Sequence, residues 1–271
     1  MNEILELLKY PFIVRALIVG ICISFTAAII GVILVQKKYS MIGHGLGEIG
    51  FAALSLAVAF NLPPLSVSIP LVIIASFIIM GISQKKGIEG DTIIAIVSAS
   101  ALAFGVIVTA ITKGFNIDVC NYMFGSILAM TNTDIILSVA LTIVVLLVYF
   151  IFYNRLVLVT YDDNFAKASG INVTLYQFII SAITALVVVL GMRMMGTLMI
   201  SSIIVFPAII SKRLTNSFKS LVVVSGIISV ICFIIGIFVS FFMKLPTGSS
   251  IVLVNILLLI IVNVGNKLIK E

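Results

Sequence analysis

The sequence predicts an all-α fold, a polytopic transmembrane helical bundle of eight or nine spans. Of the 271 residues, 62% are hydrophobic and only 10% are charged, whereas a soluble globular protein carries roughly 25% charged residues. Long apolar runs, such as 135–152 and 221–242, approach or exceed the roughly 20 residues that a helix needs to cross a bilayer. A transmembrane β-barrel would instead show segments of about ten residues with alternating polarity.

Nine apolar segments account for the individual spans. Two of them, near 65–83 and 196–211, are short, so the count falls to eight if either merges with a neighbour or re-enters the membrane. Pro70 and Pro207 lie inside apolar runs and predict kinks, because proline removes a helix hydrogen bond. The predicted spans are 12–36, 42–61, 65–83, 91–112, 133–153, 174–190, 196–211, 219–243 and 249–266.

Basic residues are divided unequally between the two sides of this topology. If the odd-numbered spans end in the cytoplasm, that side receives 11 of the 16 Lys and Arg residues. Because an excess of Lys and Arg marks cytoplasmic loops, we expect the N-terminus outside and the C-terminus in the cytoplasm. The cytoplasmic set is Lys37, Lys38, Lys85, Lys86, Arg155, Lys167, Lys212, Arg213, Lys219, Lys267 and Lys270.

Two of the connections are unusual. Residues 114–132 form an outer segment that is too apolar for a plain loop and too short to span, so we expect a half-helix at the interface or buried against the protein. Residues 154–172 form the longest polar stretch and lie inside. Asp162 or Asp163 is placed to N-cap a short helix that ends at Gly170. Such a helix is a natural docking element, and a solvated connecting loop is the alternative.

The only histidine of the chain, His44, lies four residues before Glu48 in the second apolar segment. This spacing puts both side chains on one face of a helix, and Gly43, Gly47 and Gly50 lie on the adjacent face at a spacing that lets another helix approach closely. The pair suits an ion pair, a proton relay or a transient divalent-metal site. The structural alternative is a hydrogen bond that only fixes helix packing.

The remaining ionisable residues of the apolar segments have ordinary explanations. Arg193, in the outer turn between spans six and seven, is expected to anchor at the membrane interface. Asp91 is expected to N-cap the fourth span, and Asp134 to be a solvated loop charge on the outer side. The sequence has no GxxxxGK[ST], HExxH or GxSxG motif, so it supports neither phosphate-loop ATP binding nor the common intramembrane hydrolases.

Five segments, in order along nearly the whole chain, resemble the permease subunits of metal-ion ABC importers of the zinc, manganese and iron type. The first matches the spacing of that family's pattern of a basic pair followed by an Asp and a His. The third resembles its cytoplasmic loop that contacts the ATPase. The segments are KKYSMIGHGLGE at 37–48, YMFGSIL at 122–128, YDDNFAKASG at 161–170, GTLMI through FPA and KRL at 196–214, and PTG followed by IVL at 246–253.

The resemblance implies that residues 1–271 form a single transmembrane permease domain, in the plasma membrane of a bacterium. Such a permease forms a homodimer, binds two ATPase subunits in the cytoplasm and receives metal from an extracellular metal-binding lipoprotein. It has no catalytic residues, no tightly bound cofactor and no nucleic-acid partner, and ATP binds only the partner subunit. The transported ion is a divalent cation, zinc or manganese, and its path includes His44 and Glu48. The residues implied to form the coupling loop are Tyr161, Asp162, Asp163, Phe165, Ala166 and Gly170.

The sequence departs from the family pattern at the pair itself. His44 stands where the family has its Asp, and Glu48 where it has its His, so the acid and the imidazole have changed places one helical turn apart. Lys244 stands where the family tends to have an acidic residue before Pro246. The swap leaves one carboxylate and one imidazole for a cation.

Three other functions remain open at this point. The permeases of siderophore or cobalamin importers are related but usually carry about one more span. A proton-coupled secondary transporter would use the His44–Glu48 pair as a relay. An intramembrane enzyme would need a nucleophile or a metal set that the sequence does not supply.

Overall fold

The computed structural model describes residues 10–83, 90–112 and 130–270. Within these residues the chain forms ten helices, of which nine are long and apolar enough to cross a membrane, and this confirms the all-α bundle. The outer segment expected at 114–132 lies largely outside the described residues. The helices are α1 Pro11–Gln36, α2 Ile42–Ala59, α3 Pro64–Ser83, α4 Gly90–Ile111, α5 Asn132–Tyr161, α6 Asp163–Ala168, α7 Val173–Met195, α8 Thr197–Leu214, α9 Phe218–Met243 and α10 Thr247–Lys270.

The largest difference from the predicted spans is the end of α5, which continues from 153 to Tyr161. Hydropathy falls after Phe152, but the polar residues that follow keep the helical backbone hydrogen-bonded until Asp162. With 30 residues at about 1.5 Å each, α5 is about 45 Å long, against an apolar membrane core of roughly 30 Å. The first half of the polar stretch is therefore helix rather than loop.

Two helices at the centre of the bundle, α1 and α2, bury most of their residues, whereas α5 and α10 bury only a minority of theirs. Helix α4 runs parallel to α2: Ile94 lies against Gly45 near the start of both helices, and Phe51 lies against Gly105 further along. On another side of α2, α8 runs antiparallel to it. Thr197, at the start of α8, lies beside Gly47, and Ile204 lies beside Gly43.

The turn between α7 and α8 lies beside the middle of α2 rather than beside its last residue. Gly196 breaks the helices with a φ of 87°, and Met192 in the last turn of α7 packs on Gly50. Gly50 is nine residues before the end of α2, about 13 Å along the helix axis. The turn itself is buried, together with Met194 and Met195. The outer turn that the sequence predicts between spans six and seven is therefore enclosed by the protein.

Hydrogen bonds define the two ends of the bundle. At one end, which we call the basic end, Lys37 after α1 reaches Asp163 of α6, Lys212 of α8 reaches Gln36 of α1, and Ser40 before α2 reaches Asp91 of α4. The start of α5 and the last turn of α7 lie at the opposite end, which we call the far end. These two ends correspond to the cytoplasmic and outer sides of the predicted topology.

Candidate metal path and docking helix

The structure brings the predicted pair together. His44 and Glu48 lie in the first half of α2, with Nε2 of the histidine 3.2 Å from Oε1 of the glutamate. The side chain of His44 is 45% exposed and that of Glu48 is 18% exposed. The pair therefore lies at the surface of the single chain, within a helix long and apolar enough to cross a membrane.

The neighbours of α2 explain why this face stays open. Gly43 and Gly47 pack against α8, and a Cβ at Gly47 would lie 3.2 Å from Cγ2 of Thr197. Gly45 packs against Ile94 of α4. Because His44 and Glu48 lie between these two contact faces, the close helix packing leaves the pair in a gap between α8 and α4.

The pair offers a cation one imidazole nitrogen and one carboxylate. In the parts of the chain that the structure describes, three or more His, Cys, Asp or Glu side chains do not cluster anywhere as a metal site would require. Stable zinc sites in proteins use three or four protein ligands. Two ligands favour brief binding over permanent retention.

Asp91 holds the start of the helix that carries the pair, a role that the sequence analysis missed. It was expected to N-cap its own helix, but it lies in the first turn of α4. Its Oδ1 accepts a hydrogen bond from the backbone N of Met41 at 3.4 Å, and its Oδ2 accepts one from Oγ of Ser40 at 3.5 Å. Because α2 has no side-chain cap of its own, this carboxylate is its anionic N-terminal partner.

The short helix expected in the polar connection is present as α6, and it begins after Asp162. The carboxylate of Asp162 accepts hydrogen bonds from the backbone N of Asn164 at 2.9 Å and of Phe165 at 3.0 Å. The helix ends at Ala168, and Gly170 follows in the left-handed region with a φ of 78°. We call α6 the docking helix.

Two aromatic side chains, one at the end of α5 and one in the docking helix, are open to the surroundings. Tyr161 and Phe165 are exposed, whereas Ala166 is fully buried against the bundle. Asp163, the other predicted docking residue in the helix, bonds inward to Lys37. The six predicted residues thus divide into two exposed aromatics, a capping carboxylate, two residues that attach the helix to the bundle, and Gly170 in the turn that follows the helix.

The far end contains an ion pair where an interface anchor and a solvated loop charge were expected. Nη1 of Arg193 lies 3.2 Å from Oδ1 of Asp134, whose side chain is only 5% exposed. The other carboxylate oxygen of Asp134 accepts hydrogen bonds from the backbone N and Oγ1 of Thr131, at 2.9 and 2.8 Å, and so caps α5. Arg193 is therefore a partner of a buried acid rather than only an interface anchor.

Comparison with known proteins shows which family and which relatives the sequence matches. The sequence matches the family described as the ABC 3 transport family over residues 9–266. It is 29% identical over 252 residues to the manganese import system permease protein ScaB of Streptococcus gordonii, covering 93% of this chain and 90% of that protein. It is 27% identical over 252 residues to the high-affinity zinc uptake system membrane protein ZnuB of Haemophilus influenzae, covering 93% and 97%.

A solved structure has the same fold. The complex of PsaBC from Streptococcus pneumoniae with Fab contains a chain that superposes with a TM-score of 0.85 at 28% sequence identity, covering 96% of this chain and 94% of that one. The resemblance inferred from the five sequence segments is thereby confirmed.

Proposed function

The chain belongs to the ABC 3 transport family, and on this premise we propose that it is the permease subunit of an ATP-driven importer for a divalent metal cation, zinc or manganese. The relatives named for manganese and zinc transport support this class of cargo. Both ions accept imidazole and carboxylate ligands, so the pair in α2 does not decide between them.

The observation that carries the proposal is the exposed pair on an otherwise closely packed helix. His44 and Glu48 lie within 3.2 Å of each other and open to one side of the chain. Ionisable residues within a membrane-spanning helix are costly, and they usually mark an ion or proton pathway. A site with two ligands from one chain releases its ion readily, as transport requires.

The proposed orientation places the basic end in the cytoplasm. Lys37, Lys212 and the docking helix all lie at this end, and basic residues are retained on the cytoplasmic side of membrane proteins. The docking helix then faces the ATPase subunits, with Tyr161 and Phe165 as the exposed contacts. ATP binding and hydrolysis belong to those subunits. The far end faces an extracellular metal-binding lipoprotein.

A second copy of the chain is the proposed occupant of the open side of α2. The side chain of His44 is 45% exposed in the single chain, and an ion path open to lipid on one side would not retain a hydrated cation. A homodimer closes that side. It also gives each docking helix one of two ATPase subunits.

Metal uptake by reconstituted vesicles tests this function. The permease is reconstituted with its ABC ATPase and a metal-binding lipoprotein, and uptake of radioactive zinc and manganese is measured with and without ATP. We expect ATP-dependent uptake by the natural chain, and a loss of at least about 10-fold in H44A and in E48Q. Each variant alters one of the two ligands, and changes even to the groups that support metal ligands typically cost about 10- to 100-fold in affinity or activity.

Two further variants keep this test specific. H44D combined with E48H restores the acid-then-imidazole order of the family, and it should transport if the path needs only one group of each kind. K244N changes an exposed charge at the far end, in a left-handed position that asparagine tolerates, and should leave uptake unchanged. Normal uptake by both single variants would rule out the role of the pair, and uptake without ATPase subunits would favour a proton-coupled carrier.

A further inference from the structure

The connection between the docking helix and the helix of the pair passes through one buried lysine. Lys37 follows the last residue of α1, and its side chain is 6% exposed. Its Nζ lies 2.9 Å from Oδ1 of Asp163 in the docking helix and donates a hydrogen bond to the carbonyl oxygen of Val159 at 2.6 Å. One ammonium thus bonds both to the end of α5 and to the docking helix that follows it.

Asp163 is held from a second side as well. Its Oδ2 accepts a hydrogen bond from Nε2 of Gln177 in α7, at 3.1 Å. The carboxylate at the first position of the docking helix therefore lies between α1 and α7, and 40% of its side chain remains exposed. Any displacement of the docking helix changes the distance between this carboxylate and the ammonium of Lys37.

The segment from Lys37 to the start of α2 is short, and backbone hydrogen bonds hold its conformation. Its backbone is hydrogen-bonded almost continuously: Tyr39 N donates to Leu34 O at 2.9 Å and Ile42 N donates to Tyr39 O at 3.2 Å. Lys38 adopts the left-handed conformation, with a φ of 61°. His44 is only seven residues from Lys37, so a shift of the lysine is passed to the first turn of α2 and to the pair.

A second tether at the same end is weaker. Nε2 of Gln36 lies 3.4 Å from the hydroxyl of Tyr161, and Nζ of Lys212 donates to Oε1 of Gln36 at 2.9 Å. Both bonds are exposed to solvent, where such contacts contribute little. The buried Lys37 contact is the stronger candidate for transmitting movement.

We propose that Lys37 is a positioning residue that transmits movement of the docking helix to α2, so that ATP hydrolysis by the bound subunits moves His44 and Glu48. This inference rests on the proposed function. It adds a residue with no place in the metal path or on the docking surface, and it assigns Asp163 to coupling rather than to contact with the ATPase.

The ratio of metal transported to ATP hydrolysed separates coupling from a merely structural role. K37M keeps the length and the apolar stem of the side chain but removes the charge, and K37R keeps the charge. In vesicles with the full transporter, we expect K37M to keep its ATPase subunits and its hydrolysis rate while uptake per ATP falls at least about fivefold, the lower range of typical coupling free energies. K37R should recover most of the ratio.

K38N is the matched control, because Lys38 is the exposed neighbour and asparagine tolerates its left-handed backbone. It should leave the ratio unchanged. An unchanged ratio in K37M overturns the proposal. It is also overturned if K37M and D163N both lose uptake and ATP hydrolysis in the same proportion, or if both lose their ATPase subunits. The natural chain in the same vesicles tests the proposed function separately: without its uptake that function fails, whereas with it only the role of Lys37 is in question.

Discussion

Within the described residues, two ion pairs join separate helices, one at each end of the bundle, and they are built in opposite senses. At the basic end the buried partner is the cation, Lys37, and the more exposed partner is Asp163. At the far end the buried partner is the acid, Asp134, and the more exposed partner is Arg193, at 30%. The pair at the basic end therefore exposes its negative partner, and the pair at the far end exposes its positive partner.

The two pairs also differ in what the second carboxylate oxygen of the acid contacts. Asp134 uses its second oxygen locally, to cap α5 through Thr131 three residues away. Asp163 uses its second oxygen on Gln177 of another long helix, and Lys37 lies 126 residues away in sequence. The far-end pair thus joins two long helices, α5 and α7, whereas the basic-end pair connects three long helices, α1, α5 and α7, to the docking helix.

Removing the more exposed partner of either pair is expected to have the largest effect on stability. D163N leaves the Lys37 ammonium buried without its counter-charge, and R193M leaves the Asp134 carboxylate in the same state. Breaking a buried pair in this way costs about 3–5 kcal/mol, and we expect about 2–3 kcal/mol because one partner of each pair is partly hydrated. The measurement is the thermal unfolding of the purified transporter in detergent.

The buried partners give the matching comparison. K37M removes the buried charge itself and leaves Asp163, which water reaches, so it should destabilise less than D163N. At the far end, D134N should destabilise more than K37M and less than D163N, because asparagine retains part of the cap of α5. K219Q, at an exposed lysine of α9, is the control. If K37M destabilises as much as D163N, the burial argument for the basic end is wrong.

The fold was largely predictable from the sequence, because membrane spans depend on apolar run length. All nine spans were predicted within a few residues except the end of α5. There the helix continues through Arg155 and Leu156 to Tyr161. It ends at Asp162, whose backbone N–H donates to Leu158 O while its carboxylate caps the next helix. Hydropathy measures the cost of exposing side chains to water, but helix ends are set by backbone hydrogen bonds and caps.

The candidate site was predictable only where its residues are close in sequence. His44 and Glu48 were paired correctly because an i, i+4 spacing fixes their proximity, and Asp162 was identified as a candidate cap for the same kind of reason. The two ion pairs depend on how whole helices pack, and a single sequence carries no local signal of that packing. They are Lys37 with Asp163, and Asp134 with Arg193. Asp91 was assigned to the wrong helix, because the parallel register of α2 and α4 places it beside Met41.

Asp91 offers a second, smaller way to test the basic end. D91N removes the anionic partner of the α2 N-terminus, and we expect a loss of about 1 kcal/mol, typical of a helix cap. If Lys37 and Asp91 hold the same turn from two sides, the effects of K37M and D91N on thermal stability should not add, since coupled neighbours deviate by about 0.5 kcal/mol or more. S40A removes only the longer of the two hydrogen bonds and is the control. Strict additivity would mean that the two residues act independently.

The packing of α2 against α8, midway between the ends, should respond least. G47A adds a methyl group 3.2 Å from Cγ2 of Thr197, and the resulting crowding costs about 1 kcal/mol. The same substitution gains about 0.5–1 kcal/mol, because alanine restricts the unfolded chain and favours the helix. The two terms nearly cancel, so we expect G47A alone to leave thermal stability almost unchanged.

Two companion variants separate these terms. T197S removes the methyl group at 3.2 Å and keeps the hydroxyl, while Cβ of residue 197, at 3.3 Å, remains. It should relieve part of the crowding, so the combination G47A/T197S should be more stable than the sum of its single variants. G81A in α3 adds a methyl group where nothing lies within 4 Å, and it should show the helix gain alone. If G47A destabilises strongly and T197S does not rescue it, α8 lies closer to the His44 helix than this packing allows, and the gap that exposes the pair is narrower on the α8 side.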